Sequence, residues 1–188
     1  MRVPKVSEEH LEARREQILE GARRAFARHG YEGATVARLE EEIGLSRGAI
    51  FNYFPDKWSL FFELASRDQY ELTALLMEQG LDATLRHLTT ESPDWMAVYF
   101  EVLRRLRRRP ELMKEWQEVR GGEGRDAQVK AWLEQLYATG RFRSDVRLED
   151  VAAFVNIVAN GVALATTLGL ELDADALLKL VHGGIDPK

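Results

Sequence analysis

Cysteine is absent from the 188 residues of this chain. Its absence excludes disulfides, thiolate zinc sites and cysteine nucleophiles, and it agrees with a cytoplasmic location. No apolar run approaches the roughly 20 residues that span a bilayer, and the N-terminal stretch MRVPKVSEEHLEARREQ lacks the apolar segment of a secretory signal. We therefore expect a cytoplasmic protein with no membrane partner.

Motifs for catalysis and cofactor binding are missing as well. The four histidines share neither the HxxxH nor the HExxH spacing of zinc enzymes, and no GxGxxG or Walker pattern provides a nucleotide site. The sequence therefore predicts neither an enzyme nor a catalytic residue, and it predicts no metal-binding residue and no resident cofactor.

The net charge of −5 argues weakly against a nucleic-acid partner, but the charge is unevenly distributed. Residues 1–57 carry ten Lys or Arg and ten Asp or Glu, so the excess of acid lies entirely in the remainder, with 16 basic and 21 acidic residues. A neutral N-terminal part can still present basic residues on one face, and the local sign of charge decides what binds there.

Apolar periodicity predicts helices along the whole chain. Leu11, Ile18, Leu19, Ala22 and Phe26 form one stripe of a helix, which a glycine follows four residues later. We find no alternating run long enough to indicate a strand. The predicted fold class is all-α, with about nine helices.

Two short helices around a glycine turn indicate a helix-turn-helix. The first runs from about Thr35 to Ile43, and Ser46 caps the second, which should end near Tyr53 before Pro55. Counted from Val36, Leu39 is fourth, Gly44 ninth and Ile50 fifteenth. Leu39 and Ile50 should face inward, and Gly44 tolerates the positive φ of the turn.

The segment IGLSRGAIFNYFPDK is rich in aromatic residues because so small a unit must bury enough apolar surface to stay rigid. We expect Phe51 and Phe54 to pack against the first helix near Phe26, and each such burial contributes about 1.5–3 kcal/mol. Asp56 can then cap the next helix.

The outer side of the second short helix is predicted to contact DNA. Arg47 can donate two hydrogen bonds to guanine, and Tyr53 and Lys57 can reach phosphates. The predicted DNA-binding residues are Thr35, Ser46, Arg47, Gly48, Asn52, Tyr53 and Lys57. From the glycine turn alone, a helical hairpin with a solvated polar face is an equally good interpretation.

A family resemblance favours the DNA-binding interpretation. The segment ILEGARRAFARHGYEGATVARLEEEIGLSRGAIFNYFPDKWSLF resembles the N-terminal signature of the TetR family of bacterial transcriptional repressors, and the resemblance covers about residues 14–65. The combination of RLEE with SRGAIF is similar to the actinobacterial aconitase-gene repressor branch of that family.

The resemblance implies a ligand-responsive repressor in two parts. Residues 1–55 would form the helix-turn-helix domain, and residues 56–188 a helical domain that binds an effector and dimerises. The homodimer would form through helices at Val151–Leu168 and Ala174–Val181 and bind a palindromic double-stranded DNA operator. A small effector that prefers one spacing of the two DNA-binding domains would release it.

Glu40 departs from the family pattern, which usually has a small residue at this position because two helices approach closely there. We expect its carboxylate to extend outward or to pair with Arg47. Glu40–Glu42 also keep an alternative open, because three carboxylates near a phosphate backbone are repulsive. In that alternative, the chain is an effector-binding or protein-interaction module whose head does not bind DNA.

The implied effector is a polycarboxylate such as citrate, with Mg²⁺ as a possible companion ion. Arginine suits carboxylates, and buried amides can orient a ligand. The candidate effector-binding residues are Glu101, Arg104, Arg105, Arg120, Asn156 and Asn160. Each has a structural alternative: solvated arginines at a helix C-terminus, a Glu101–Arg105 pair, and an asparagine pair with internal hydrogen bonds.

Overall fold

The computed structural model describes residues 8–90, 96–120 and 125–187, and these residues form nine helices and no strand, which confirms the all-α prediction. The helices are α1 (Glu8–Gly33), α2 (Val36–Ile43), α3 (Arg47–Phe51), α4 (Lys57–Thr90), α5 (Met96–Leu106), α6 (Pro110–Arg120), α7 (Arg125–Ala138), α8 (Leu148–Thr167) and α9 (Ala174–Ile185). We call α1 to α3 the N-terminal head.

Side-chain caps begin the helices of the head as the sequence predicts. The Thr35 hydroxyl accepts a hydrogen bond from the backbone N–H of Arg38 at 3.5 Å, and the Ser46 hydroxyl accepts one from Ala49 at 3.4 Å. Between them, Gly44 adopts a φ of 75° at the end of α2. Regular helix α3 ends at Phe51, two residues earlier than predicted.

Two further glycines bend the long helices. Gly30 has a φ of 68° near the end of α1, and Gly80 has a φ of 85° within α4. Glycine populates this left-handed region without the steric cost that a Cβ brings. The change of direction at Gly30 brings the following residue, Tyr31, onto the aromatic core.

One hydrophobic core joins the head to α4, α5 and α6. Phe26 and Phe61 are fully buried with ring centroids 6.0 Å apart, and Trp116 of α6 stacks on Phe61 at 6.0 Å. Phe54 is buried in this core as predicted, whereas Phe51 is only half-buried at its edge. The division at residues 55 and 56 therefore crosses a continuous core and stays a prediction.

A second core joins the end of α4 to α8 and α9, with Leu85, Val162 and Val181 buried in it. Contrary to the expectation from the sequence, α8 is long and apolar enough, by length and composition alone, to cross a membrane. The reason is that its polar residues between Val151 and Thr167 are asparagines and threonines, which carry no charge. Only 17% of its apolar window is buried within the chain.

Helices α1 and α2 approach closely at Gly21. A Cβ built on this residue would lie 2.6 Å from Cα and Cγ1 of Ile43 and 3.0 Å from the carbonyl oxygen of Glu42. The resemblance to the family placed such an approach at position 40. In this chain the close contact that the structure shows lies between Gly21 and Ile43, and Glu40 is half-buried.

Gly21→Ala should therefore destabilise the head by about 1–3 kcal/mol, because the backbone of α2 must move to admit the methyl group. Urea denaturation of the variant measures this loss. Gly48→Ala is a matched control, since a Cβ at Gly48 would have no other atom within 4 Å. Equal stabilities for Gly21→Ala and the wild type would show that α2 is not held at this distance.

Candidate DNA-binding surface and effector cavity

The helix-turn-helix separates an inner apolar side from an outer polar side. Leu39 and Ile50 are fully buried, as their positions in the pattern predict. The predicted DNA-binding residues that the structure leaves exposed are Thr35, Ser46, Arg47, Gly48 and Asn52. Tyr53 is half-buried and packs against the core that joins the head to α4, α5 and α6. The residues that stay exposed at the start of α3 are therefore mostly polar.

The backbone and the side chain of Arg47 make separate contacts within the head, and the side chain stays exposed to solvent. Its backbone N–H donates to the Glu40 carboxylate at 2.6 Å, and its guanidinium carbon lies 6.0 Å from the centroid of the Phe51 ring. The predicted pairing of Glu40 with Arg47 therefore exists, but it involves the backbone amide. The Arg47 side chain remains exposed and available for a partner outside the chain.

Repulsion between the carboxylates of Glu40–Glu42 and DNA phosphates is the argument against DNA binding, and ion pairs within the head weaken it. The Glu42 carboxylate accepts from Arg28 at 2.7 Å and lies 3.7 Å from Arg24, both on α1. The partner of Glu40 is a neutral backbone amide, so Glu42 is the carboxylate whose charge is balanced by arginines of the head. Glu41 is the member that is exposed.

Lys57 is half-buried at the start of α4. Its amine donates to the carbonyl oxygen of Tyr31 at 2.6 Å and lies 4.5 Å from the centroid of the Tyr31 ring. Burial lowers the pKa of Lys57, and the charge of Glu101 opposes that shift. The amine thus has a partner within the protein, and its contact with a phosphate stays a prediction.

Glu101 and Arg105 of α5 contact the end of α1. We call these two residues, together with Tyr31 and Glu32, the α1–α5 joint. The Glu101 carboxylate accepts from the backbone N–H of Tyr31 at 3.1 Å, and Arg105 pairs with Glu32 and, at 3.6 Å, with Glu101. The Glu101–Arg105 pair is the structural alternative that the sequence left open.

A cavity of about 100 Å³ lies between the two hydrophobic cores. Its lining is mostly apolar, and its polar side chains include the predicted pair Asn156 and Asn160. The lining residues are Ala65, Asp68, Gln69, Leu72, Leu88, Tyr99, Phe100, Asn156, Ala159, Asn160 and Ala163. The Asn160 amide donates to the carbonyl and side-chain oxygens of Asn156 at 2.8 and 3.0 Å.

The six candidate effector residues are therefore divided. Asn156 and Asn160 line the cavity, but Glu101 and Arg105 lie at the α1–α5 joint and Arg104 is exposed on α5. The side chain of Arg120 lies outside the described residues, as do the glycines at 121 and 122.

Asp68 and Gln69 line the cavity but were missed by the sequence interpretation. They lie on α4 between Ala65 and Leu72, at the spacing of one helix face, and this polar interruption of an apolar stripe was the available signal. Asp68 also accepts two hydrogen bonds from Arg23 of α1, at 2.8 and 2.5 Å, which raise the pKa of Arg23. One wall of the cavity is thus bonded directly to the head.

No metal centre is evident among residues 8–90, 96–120 and 125–187, where no group of three or more His, Cys, Asp or Glu side chains is arranged so that it could hold a metal ion. His182 of α9 lies between Asp82 and Asp186, at 2.7 and 3.0 Å from their carboxylates, and these hydrogen bonds raise its pKa. Because both ring nitrogens face carboxylates, this histidine is placed to donate twice as an imidazolium.

Comparison with known proteins identifies the family to which this chain belongs. The sequence profile described as "Bacterial regulatory proteins, tetR family" matches residues 18–64. The HTH-type transcriptional repressor Rv1474c of Mycobacterium tuberculosis is 43% identical over 186 residues, which cover 97% of this chain and 98% of that protein. The HTH-type transcriptional repressor AcnR of Corynebacterium diphtheriae is 38% identical over 97% of both chains.

The chain belongs to the TetR family, as a repressor of the AcnR type. The family resemblance and its aconitase-gene repressor branch are thereby confirmed, and this TetR-family protein is a DNA-binding transcriptional repressor and not an enzyme. GusR of Salmonella enterica shares the fold, with a TM-score of 0.74 over 95% of this chain and 97% of that one, at 21% identity.

Replacement of Arg47 tests the exposed surface of this TetR-family repressor. Arg47→Ala should weaken binding to the operator by about 1–3 kcal/mol, because it removes the bidentate contact with a base that the sequence predicts. Fluorescence anisotropy with the operator and with a scrambled duplex measures the change. Arg104→Ala, which removes an exposed arginine of α5, should leave both affinities unchanged. Full operator affinity in Arg47→Ala would contradict base recognition by this residue.

Proposed function

We propose that this TetR-family repressor binds a palindromic operator as a homodimer and is released by a small effector bound in the cavity. The observation that carries the proposal is the connection of the cavity to the head, through Asp68 and through α5. The cytoplasmic location and the lack of a membrane partner belong to the same proposal, since operator DNA lies in the bacterial cytoplasm.

The proposed dimer interface is the exposed apolar side of α8 and α9. Ile157 is 69% exposed and Leu180 is 74% exposed, which is costly for a chain that stays monomeric. The exposed members of this face are Ala153, Ile157, Gly161 and Leu164 of α8, Leu168 directly after it, and Ala176, Leu180 and Gly183 of α9. A Cβ at Gly161 or Gly183 would meet no atom within 4 Å, so a second copy can approach closely there.

A two-fold symmetric pair of chains explains why the operator should be palindromic. The same face of each copy meets the other, so the two heads are related by the same two-fold axis. Two helix-turn-helix units then reach half-sites about 34–36 Å apart, or a multiple of that distance, in successive major grooves. A change in the distance between the heads therefore changes the affinity for DNA.

Two connections can transmit a change in the cavity to that distance. Tyr99 and Phe100 of α5 line the cavity, while Glu101 and Arg105 of the same helix hold the end of α1. Asp68 provides the second connection through Arg23. A ligand that prefers one arrangement of these contacts shifts the population of head positions, and a coupling of about 1–3 kcal/mol is typical.

The chemistry of the cavity bears on the proposed polycarboxylate. No lysine or arginine occurs among the described lining residues, which include the carboxylate of Asp68. Citrate would therefore enter as its Mg²⁺ complex, because the ion lowers the negative charge brought into a lining whose described residues provide no free cation, and Arg23 already pairs with Asp68. The amides of Gln69, Asn156 and Asn160 can then bond its hydroxyl and carboxylate groups.

The first test of the proposed function is selection of genomic fragments by the purified protein, with and without citrate and Mg²⁺. We expect enrichment of a palindromic sequence at moderate salt and reduced recovery when citrate and Mg²⁺ are added together. Recovery of a site that lacks two-fold symmetry would contradict the dimer. Recovery that is indifferent to citrate would contradict the polycarboxylate while leaving operator binding supported.

A charge placed in the α8–α9 face should dissociate the dimer. Leu180→Glu should convert the protein to a monomer and weaken binding to the full palindrome towards the affinity for one half-site, because a carboxylate would be buried against an apolar partner surface. Tyr70→Glu is the matched control, since Tyr70 is 65% exposed on α4. Sedimentation velocity measures the mass of each variant, and a dimeric Leu180→Glu would contradict this interface.

A further inference from the structure

Glu40 holds both ends of the turn between α2 and α3. Its backbone carbonyl accepts from the N–H of Gly44 at 2.9 Å, at the end of α2, and its carboxylate accepts from the N–H of Arg47 at 2.6 Å, at the start of α3. One residue therefore spans the turn that orients α3, the helix whose outer side is predicted to contact DNA. None of the predicted contacts with DNA makes use of it.

The first residues of α3 depend on such contacts because the helix is short. It contains five residues, and a helix of this length cannot stabilise itself through its own hydrogen bonds. Ser46 accepts the N–H of Ala49 at a long 3.4 Å, whereas Glu40 accepts the N–H of Arg47 at 2.6 Å with a charged acceptor. Charge-assisted hydrogen bonds of this length are the stronger kind.

We propose that Glu40 is a positioning residue for operator recognition, which fixes the first residue of α3 and thereby the direction in which the Arg47 side chain meets a base edge. The carboxylate engages the backbone of Arg47 and leaves its guanidinium exposed beside Phe51. This inference rests on the proposed recognition of a base by Arg47, and it goes beyond that proposal by assigning sequence discrimination to a residue that touches no DNA.

The charge of Glu40 has a second and separable effect. A carboxylate at the DNA-facing turn repels phosphates of every sequence alike, so it weakens specific and non-specific binding by the same factor. The hydrogen bond to Arg47 acts only where the position of Arg47 matters, which is at its cognate base. Sequence discrimination, measured as the ratio of the two affinities, therefore reports the hydrogen bond and not the charge.

Glu40→Gln and Glu40→Ala separate these effects, because both remove the charge but only glutamine keeps a side-chain oxygen that can accept from Arg47. Affinities for the selected operator and for a scrambled duplex are measured across a range of KCl concentrations. Glu40→Gln should bind both duplexes more tightly and keep a ratio closer to that of the wild type than Glu40→Ala does, because its neutral oxygen accepts a weaker bond from Arg47. Glu40→Ala should lose about fivefold in the ratio, which corresponds to the loss of about 1 kcal/mol from a helix cap.

Glu41 provides the matched control, since it is the exposed neighbour of Glu40. Glu41→Ala should tighten binding to both duplexes and leave the ratio unchanged. In an Arg47→Ala background, Glu40→Ala should no longer alter the ratio, because Glu40 acts through Arg47. Urea denaturation of each variant shows whether the head is folded, and rescue of the ratio by glutamine is a result that general loss of stability would not produce.

If Glu40→Ala and Glu40→Gln show equal ratios of operator to scrambled-duplex affinity while Arg47→Ala still lowers that ratio, this inference is overturned. The proposed base recognition by Arg47 then stands. An Arg47→Ala variant that keeps the full preference for the operator overturns the proposed base recognition and this inference with it. A further loss of ratio on adding Glu40→Ala to Arg47→Ala likewise overturns the inference, since Glu40 would then act independently of Arg47.

Discussion

The structure depends on the way in which Tyr31 fastens the N-terminal head to the rest of the chain. Its ring stacks on Phe26 at 5.8 Å and meets the edge of Phe61 at 5.6 Å. Its backbone N–H donates to Glu101, and its carbonyl accepts from Lys57. Burial raises the pKa of its phenol to about 12, so the ring stays neutral within the core. Three helices, α1, α4 and α5, therefore meet at one residue.

This attachment makes the head part of a continuous core and limits how it can move. A head joined by a loose linker would change position without cost, and a ligand elsewhere would then have no influence on it. Here any change in the position of α1 must alter packed aromatic rings, and packed cores shift between discrete arrangements more readily than they deform. That property is what the proposed release by an effector requires.

The cavity lies where such a change can begin. Ala65 and Tyr99 belong to the core that joins the head to α4, α5 and α6, and Leu88 and Ala163 belong to the core around α8 and α9. The cavity therefore lies between the two cores. The same α8 that contributes Asn156 and Asn160 to the cavity carries the exposed apolar face proposed for dimerisation. A ligand in the cavity and a second copy at the proposed interface would therefore both contact α8.

The sequence by itself determined the features that neighbouring residues control. Caps at Thr35 and Ser46, the positive φ of Gly44 and the burial of Leu39 and Ile50 follow from helical periodicity and backbone sterics over about fifteen residues. The same local pattern supported the family resemblance. These features were predictable because each depends on groups a few residues apart.

Only the tertiary structure decided where distant side chains meet. Glu101 accepts from Tyr31 across 70 positions of the chain, and Asp68 accepts from Arg23 across 45, so nothing in the local pattern separates a joint residue from a cavity residue. Glu40 is an intermediate case, because its departure from the family pattern and its pairing with Arg47 were predicted, whereas its bond to the backbone amide of Arg47 was not. Its role depends on the angle at which α3 leaves the turn, which packing sets and residue spacing does not.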